Sequence, residues 1–389
     1  MTSEKLKKKG LLYMVSAISA LRGAVFRAWN VVWQPFVLSL GVSMSWLGGL
    51  ESLLDFTMIA VMPLFGKASD AHGRRKFIVA REILTLAAAV LYIYAESWRL
   101  LSLGVILTGL SLALYPVWNT VIAESSEGRE LGYTYSIVGT ITLCLSLVAT
   151  LAAGYVASAY GLRTVFTGAA VLALLAFLLV VMRLPETLPP GKRGSVDWRG
   201  LTGSFVETFR PPRYLWGFYI AMSVDLFAFH LGYRLLNGML ARGYGYTPAM
   251  LGLMSAATIG ATAIAQIPLG RLVDKVGYVK FLIISQLIAC GVLAIFIVSK
   301  SFPAVVAAQI ALGVSAAFWD PAEQAWIAVN VDPERRAQAI GGLLFDAYGF
   351  DVPILINLGI ALIDVILIYV LVKERVRPDI ASDALEVQD

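Results

Sequence analysis

The chain is predicted to be an all-α polytopic membrane protein, and three observations carry that prediction. Hydrophobic residues make up 58% of its 389 positions and charged residues only 15%, where an average soluble protein carries about 25% charged residues. Mean hydropathy is +0.76, and apolar runs recur from end to end. A spanning helix needs about 20 apolar residues, so this length accommodates roughly a dozen crossings with short connections. Helices are the expected form because backbone exposed to lipid must satisfy its own hydrogen bonds.

The spans follow in order from the apolar runs and the charged or Gly/Pro punctuation between them. Span 1 covers 11–40. The basic stretch before it (EKLKKKG) does not make a cleaved leader, because the apolar run continues too long and carries arginines. Spans 2 to 6 cover 45–66, 77–96, 100–123, 132–159 and 163–183. A polar, Pro-rich link (RLPETLPPGKRGSVDWRG) then runs to RPPR at 210–213. The predicted units are 1–183, a linker at 184–213, and 214–389. Spans 7 to 10 cover 214–241, 248–270, 279–299 and 303–329, a short piece lies at 338–351, and the last span covers 353–372. With both termini on the cytoplasmic side, only Arg99, Arg163, Arg242 and Lys300 fall outside, while Arg22, Arg27, Arg81 and Arg234 lie within spans. That bias sets the orientation and explains the net charge of +5 without a nucleic-acid partner. Cys144 and Cys290 both sit in apolar runs and read as packing residues.

The two halves repeat. At a constant offset of 204 residues, Gly41 falls on Gly245, Gly48 on Gly252, Gly66 on Gly270, Asp70 on Asp274, and Gly73 on Gly277; Asn119 falls on Glu323. Each half is therefore a six-span unit, the duplication found in secondary transporters, whose sites lie between repeats near the midplane.

The segment GKASDAHGRRK (66–76) and its echo GRLVDKVGYVK (270–280) carry a resemblance. The first resembles the signature loop between spans 2 and 3 of the major facilitator superfamily, and the degenerate second copy is usual there. The resemblance covers almost the whole chain and implies a 6+6 transmembrane helix repeat. It also implies a gating role for Gly66, Asp70, Gly73, Arg74, Arg75, Gly270, Asp274 and Gly277. On physical grounds, glycines at each end permit a tight turn, Asp70 can cap a helix or pair with an arginine, and the basic residues meet anionic headgroups. Drug/proton antiporters of the superfamily often carry G-x-x-x-G-P-x-x-G-G on span 5. Here the stretch is ATLAAG, with Thr150 at the proline position.

Intramembrane polar residues mark the expected site. At about 100° per residue, Arg27, Asn30 and Gln34 share one face of span 1, and Arg22 lies with Phe26, Trp29 and Trp33 about 140° away. His230 and Arg234 share a face of span 7, with Asp225 opposite Arg234. The resemblance places spans 1, 4, 7 and 10 around a central cavity, with Arg27 and Arg234 on opposing walls. Paired guanidinium groups suit an organic anion. The alternative is internal neutralisation, with Asp55 reaching Arg27 or Arg22 and Glu51 one turn away. Tyr115, Trp118 and Asn119 offer an aromatic wall for substrate, or simple packing. Asp320 and Glu323 on span 10, with Asp55, are candidates for proton coupling, and His230 is another, since an unperturbed imidazole titrates at about 6.5 and suits a switch.

No metal cluster, nucleophile triad or phosphate-binding loop stands in the sequence, so neither a cofactor nor an enzyme activity is expected. The resemblance implies a small-molecule carrier in the plasma membrane, coupled to H+, working as a monomer by alternating access. Multidrug efflux is the alternative to an organic anion; a lipid-moving or sensor protein of the same fold is less favoured.

One region breaks the repeat. Ala153–Gly161 has its copy at Gly341–Gly349, an offset of 188, whereas just upstream the offset is 205–206, so 17 or 18 residues are missing after Arg336. At 1.5 Å per residue that is about 26 Å of helix, most of a span. Span 11 is expected to be short as written, through a stretch left out of the chain or a half-helix.

Overall fold

The computed structural model describes residues 3–125, 131–188, scattered helical positions between 217 and 228, and 233–330. The short span 11 and the last span lie outside the described residues. Among the described residues, nine helical stretches are long and apolar enough to cross a membrane.

In chain order the first group of helices is α1 (Ser3–Ser39), α2 (Met44–His72), α3 (Arg74–Tyr94), α4 (Trp98–Leu112), α5 (Tyr115–Glu124), α6 (Leu131–Tyr160) and α7 (Leu162–Arg183). After the link come a 3-10 turn (Tyr233–Leu235), α8 (Leu236–Tyr244), α9 (Pro248–Val276), α10 (Tyr278–Val298) and α11 (Phe302–Asn330). The helices start and stop for local reasons. Ser43 caps α2 by accepting from the Trp46 amide at 3.2 Å, a contact typically worth about 1 kcal/mol. Span 4 is a single crossing made of two helices, α4 and α5, parted at Ala113–Leu114. Pro116 follows the break and has no amide hydrogen to give to Leu112, so the ladder cannot run through.

The first seven helices pack as a bundle: α1 lies against α6 and α7, α3 against α4 and α7, and α2 against α4. Its centre is aromatic. Phe36 meets Phe166 at 4.9 Å between ring centroids, and Trp29 meets Tyr92 edge-on at 5.4 Å; such pairs add about 0.5–1.5 kcal/mol beyond area burial. In the second group, α9 and α10 both lie on α11.

The repeat read in the sequence recurs in the backbone. Gly41 and Gly245 both adopt positive φ (78° and 68°), and so do Gly73 and Gly277 (99° and 107°), conformations L-residues other than glycine avoid. A Cβ on Gly109 would stand 2.8 Å from the Leu54 carbonyl oxygen. Gly313 is pressed in the same way against the carbonyl of Thr258, which stands 204 residues after Leu54. Each close approach seats span 4 or span 10 on the second span of its own half.

The halves touch through α1 against α8 and α9, and through α6 against α9. At the α6–α9 crossing, Gly154 and Gly252 bring the two backbones together: a Cβ on Gly154 would lie 2.9 Å from the Gly252 Cα and 2.8 Å from the Pro248 carbonyl. The Ala249 amide donates to the Ser158 hydroxyl beside it at 2.9 Å. The small residues of the ATLAAG stretch are thus the close-packing surface between halves, and Thr150 is fully buried beside them, its hydroxyl returned to the Ser146 carbonyl at 2.7 Å.

The signature segment differs from the expected loop. α2 continues through Gly66 to His72, and the reversal is made by Gly73 alone. Gly66 is an ordinary helical residue with open space around it. One positive-φ residue suffices because α3 begins at once, at Arg74.

Candidate functional site

Two polar clusters inside the apolar bundle are candidates, and the span 1 stripe separates them. Gln34 points toward the second half. It donates to the Arg234 carbonyl at 2.7 Å and accepts from the Gly238 amide at 2.6 Å. Asn30, exposed, accepts at its carbonyl from Asn237 at 3.3 Å. Arg27 is exposed on the same face and near enough to Tyr233 to interact electrostatically.

Arg234 completes this cluster. Its Nε and Nη2 donate to Oε2 of Glu51 at 3.0 and 2.8 Å, and Nη2 stands 3.5 Å from Oδ2 of Asp55. The other oxygen of Glu51 accepts from the Trp33 indole at 3.0 Å. Glu51 and Asp55 are 8% and 4% exposed, where carboxylates persist only when paired. The partner of Asp55 is therefore Arg234, from the other half, and not the Arg27 or Arg22 of the sequence-based alternatives.

Arg22 faces the opposite way, into the first half, as its separation from the stripe dictates. It is paired with Glu82 on α3, and its guanidinium lies over the Trp118 ring at 3.9 Å. Trp118 is buried and donates to Ser19 at 3.0 Å. Tyr115 is exposed, with the Arg81 guanidinium 5.9 Å from its ring centroid. Asn119 is half-buried nearby. Neither Arg81 nor Glu82 stood among the expected site residues. The signal for them was an adjacent arginine and glutamate well inside span 3, the kind of intramembrane pair that is costly unless used.

At the signature turn, Arg74 pairs with Asp70 at 3.3 Å and also with Glu124 at the end of α5. Glu186, just past α7, accepts from the Arg74 amide at 2.9 Å and from the Arg75 amide at 3.3 Å. It, and not Asp70, caps α3. Arg75 also donates to the Val181 carbonyl at 2.7 Å. Gly277 begins α10 in the same way that Gly73 begins α3. His230 lies outside the described residues, as do the side chains of Asp274, Asp320 and Glu323; the backbone places the last two on α11. Among the described residues no group of three His, Cys, Asp or Glu side chains could hold a metal ion.

The helix pattern and the turn repeat have a counterpart in known proteins. The sequence profile of the Major Facilitator Superfamily matches residues 14–235 and 226–387. The chain belongs to that superfamily. It is a multi-pass membrane protein, and superfamily members are non-enzymatic carriers of small molecules. The multidrug resistance protein MdtG of Salmonella schwarzengrund (strain CVM19633) is 28% identical over 288 residues, covering 69% of this chain and 68% of MdtG. A mutant of the nucleoside transporter NupG shares the fold with a TM-score of 0.75 at 14% identity, over 93% of this chain and 100% of that one. The human organic anion transporter MFSD10 (TETRAN) does so with a TM-score of 0.64 at 16% identity, over 93% and 99%.

Proposed function

We propose that the protein is a proton-coupled exporter of amphipathic small molecules in the plasma membrane, working as a monomer by alternating access. The observation that carries this reading is the ion pair from Arg234 to Glu51 and Asp55. It joins the two halves inside the span region, and its acidic members are groups a proton can neutralise. Residues 1–183 and 214–389 serve as the two moving bodies, the 184–213 segment links them, and both termini are cytoplasmic.

In this reading the Gly41, Gly161 and Gly245 end faces outside and is closed by Gln34, Arg234 and the Gly154–Gly252 contact. Protonation of Glu51 or Asp55 removes a counter-charge of Arg234. The guanidinium then exchanges its partner for water, the bridge from α2 to the 3-10 turn before α8 opens, and the halves rock apart on that side. Substrate release and proton uptake are thereby made exclusive with closure. The export of drugs in particular draws support from MdtG, a multidrug resistance protein. Arg27, Asn30, Tyr115, Trp118, Asn119 and His230 remain the proposed substrate wall.

The test is transport in proteoliposomes. With E51Q and D55N combined, pH-driven movement of a lipophilic cation such as ethidium should be lost while counterflow exchange persists, since exchange needs reorientation but no net proton movement. Retained pH-driven transport in that double variant overturns this assignment and moves coupling to Asp320 and Glu323, the other acidic candidates, whose neutral amides are measured alongside. A second reading, export of organic anions, is favoured by Arg22 and Arg81, two buried arginines that share a single carboxylate, Glu82.

A further inference from the structure

We infer that the first half contains a separate binding site for one monovalent carboxylate, in the cavity between α1, α3, α4 and α7. The cavity measures about 40 Å³ and is lined by Arg22, Trp29, Arg81, Glu82, Thr85 and Ser111, among others. That is room for roughly three water-sized groups, the size of a carboxylate.

Its chemistry is one-sided. Arg81 is 8% exposed, and its Nη1 has no hydrogen-bond partner. Nη1 of Arg22 and the indole Nε1 of Trp29 are likewise buried and unpartnered. The fully buried polar atoms around this cavity that lack a partner are all donors, and the one carboxylate in the lining, Glu82, already has its Oε1 engaged by Arg22. The charged and titratable groups acting on Arg81 are Arg22, Glu82 and Tyr115. Glu82 is taken up by Arg22, so one positive charge is left over. An unmatched buried charge is among the most costly features a protein can carry. A planar anion with two acceptor oxygens meets the guanidinium fork and removes the cost. A dianion would exceed the single surplus charge.

The second half supplies an internal control. At the offset of 204, Arg81 corresponds to Ser285, Glu82 to Gln286, and Ser111 to Ser315. Ser111 donates to the Arg81 carbonyl at 3.3 Å, and Ser315 donates to the Ser285 carbonyl at 2.9 Å, so the helix contact is the same. There the place of the guanidinium is filled by a hydroxyl satisfied by Ser315 at 2.8 Å. Beside it Gln286 donates to Asp225 at 2.9 Å; the fold therefore packs this crossing without a guanidinium, and the arginine is an addition to it. The inference does not rest on the drug-export reading, because a site of this kind binds with or without a proton gradient.

The test is thermal melting of the purified full-length protein in nanodiscs, titrated with sodium acetate against sodium sulfate at matched ionic strength. The expected result is a saturable rise in Tm with acetate, against only the gradual, unsaturable rise that sulfate gives by exclusion from the surface. In R81S, which installs the second half's own residue, the acetate midpoint should move up by about tenfold or more, while the variant in sulfate melts no lower than the wild type. W29F keeps an aromatic ring at the site but removes one donor, and should weaken acetate by about fivefold. Competitive inhibition of benzoate transport by acetate identifies the occupant as the head group of a transported solute. A melting response without such inhibition identifies a resident free anion. Either supports the site. Equal responses to acetate and sulfate in the wild type, or R81S and W29F titrating like the wild type, overturn it.

Discussion

Arg234 and Glu51, 183 residues apart in the chain, meet through two hydrogen bonds of 3.0 and 2.8 Å that tie the second half to the first. Charge-assisted bonds of this kind contribute about 1.5–3 kcal/mol. Either E51Q or R234Q should therefore shift the conformational equilibrium toward the form open at this end, by roughly ten- to a hundredfold. Disulfide trapping between cysteines at Ser158 and Ala249 reads the closed form, and its yield should fall. Acid should act in the same direction, since a proton on either carboxylate removes a counter-charge of Arg234, and E51Q combined with D55N should abolish that response. Unchanged trapping at all pH values in both variants would exclude the pair as a gate.

G154A tests the backbone contact in the same crossing. The added Cβ would meet backbone atoms of Pro248 and Gly252 at 2.8 and 2.9 Å, and backbone cannot swing aside as a side chain can. Closure should weaken and trapping at Ser158–Ala249 should fall, with folding retained in fluorescence-detected gel filtration. G139A on the same helix, with no atom within 4 Å of the new Cβ, is the neutral control.

The two glycines of the signature segment should respond in opposite ways. G66A lies in open helix and should leave Tm unchanged or raise it, Ala being preferred there by about 1 kcal/mol. G73A must hold φ near 99°, which disfavours an L-residue by about 1–2 kcal/mol, and it would also strike the Glu186 carboxylate. A lower Tm in G66A than in G73A would contradict the single-residue turn.

E186A removes the acceptor for two amides at the start of α3. Loss of an N-cap costs about 1 kcal/mol, and hydrogen exchange at Arg74 and Arg75 should accelerate. No change in protection there would show that another group caps the helix.

Much of this fold was legible because lipid imposes long apolar runs and because duplication writes the same glycine twice. Gly41 and Gly245, read only as a matching pair of letters, adopt matching positive φ angles. The interior of the site was harder to read. The face of α1 was correctly divided between Gln34 and Arg22, since helical periodicity is local. Which carboxylate each arginine meets was not, because Arg22 to Glu82 and Arg234 to Glu51 are long-range pairings that depend on how helices are stacked. Periodicity carries no information about that. The Gly66 loop was misplaced for a related reason: glycine permits a turn, and nothing in the letters says that the helix declines it.

The clamp at Glu186 has a mechanical consequence. The segment that leaves α7 does not hang from the end of that helix. It is fastened to the first turn of α3 through two amides, and Leu188 folds back on the same carboxylate at 3.0 Å. A pull along the chain from beyond Leu188 would therefore be applied beside Gly73, at the turn between α2 and α3, rather than at the tip of α7. Any pull arriving from beyond Leu188 would thus act at a lever point next to Arg74, whose ties to Asp70 and Glu124 would bear the load first.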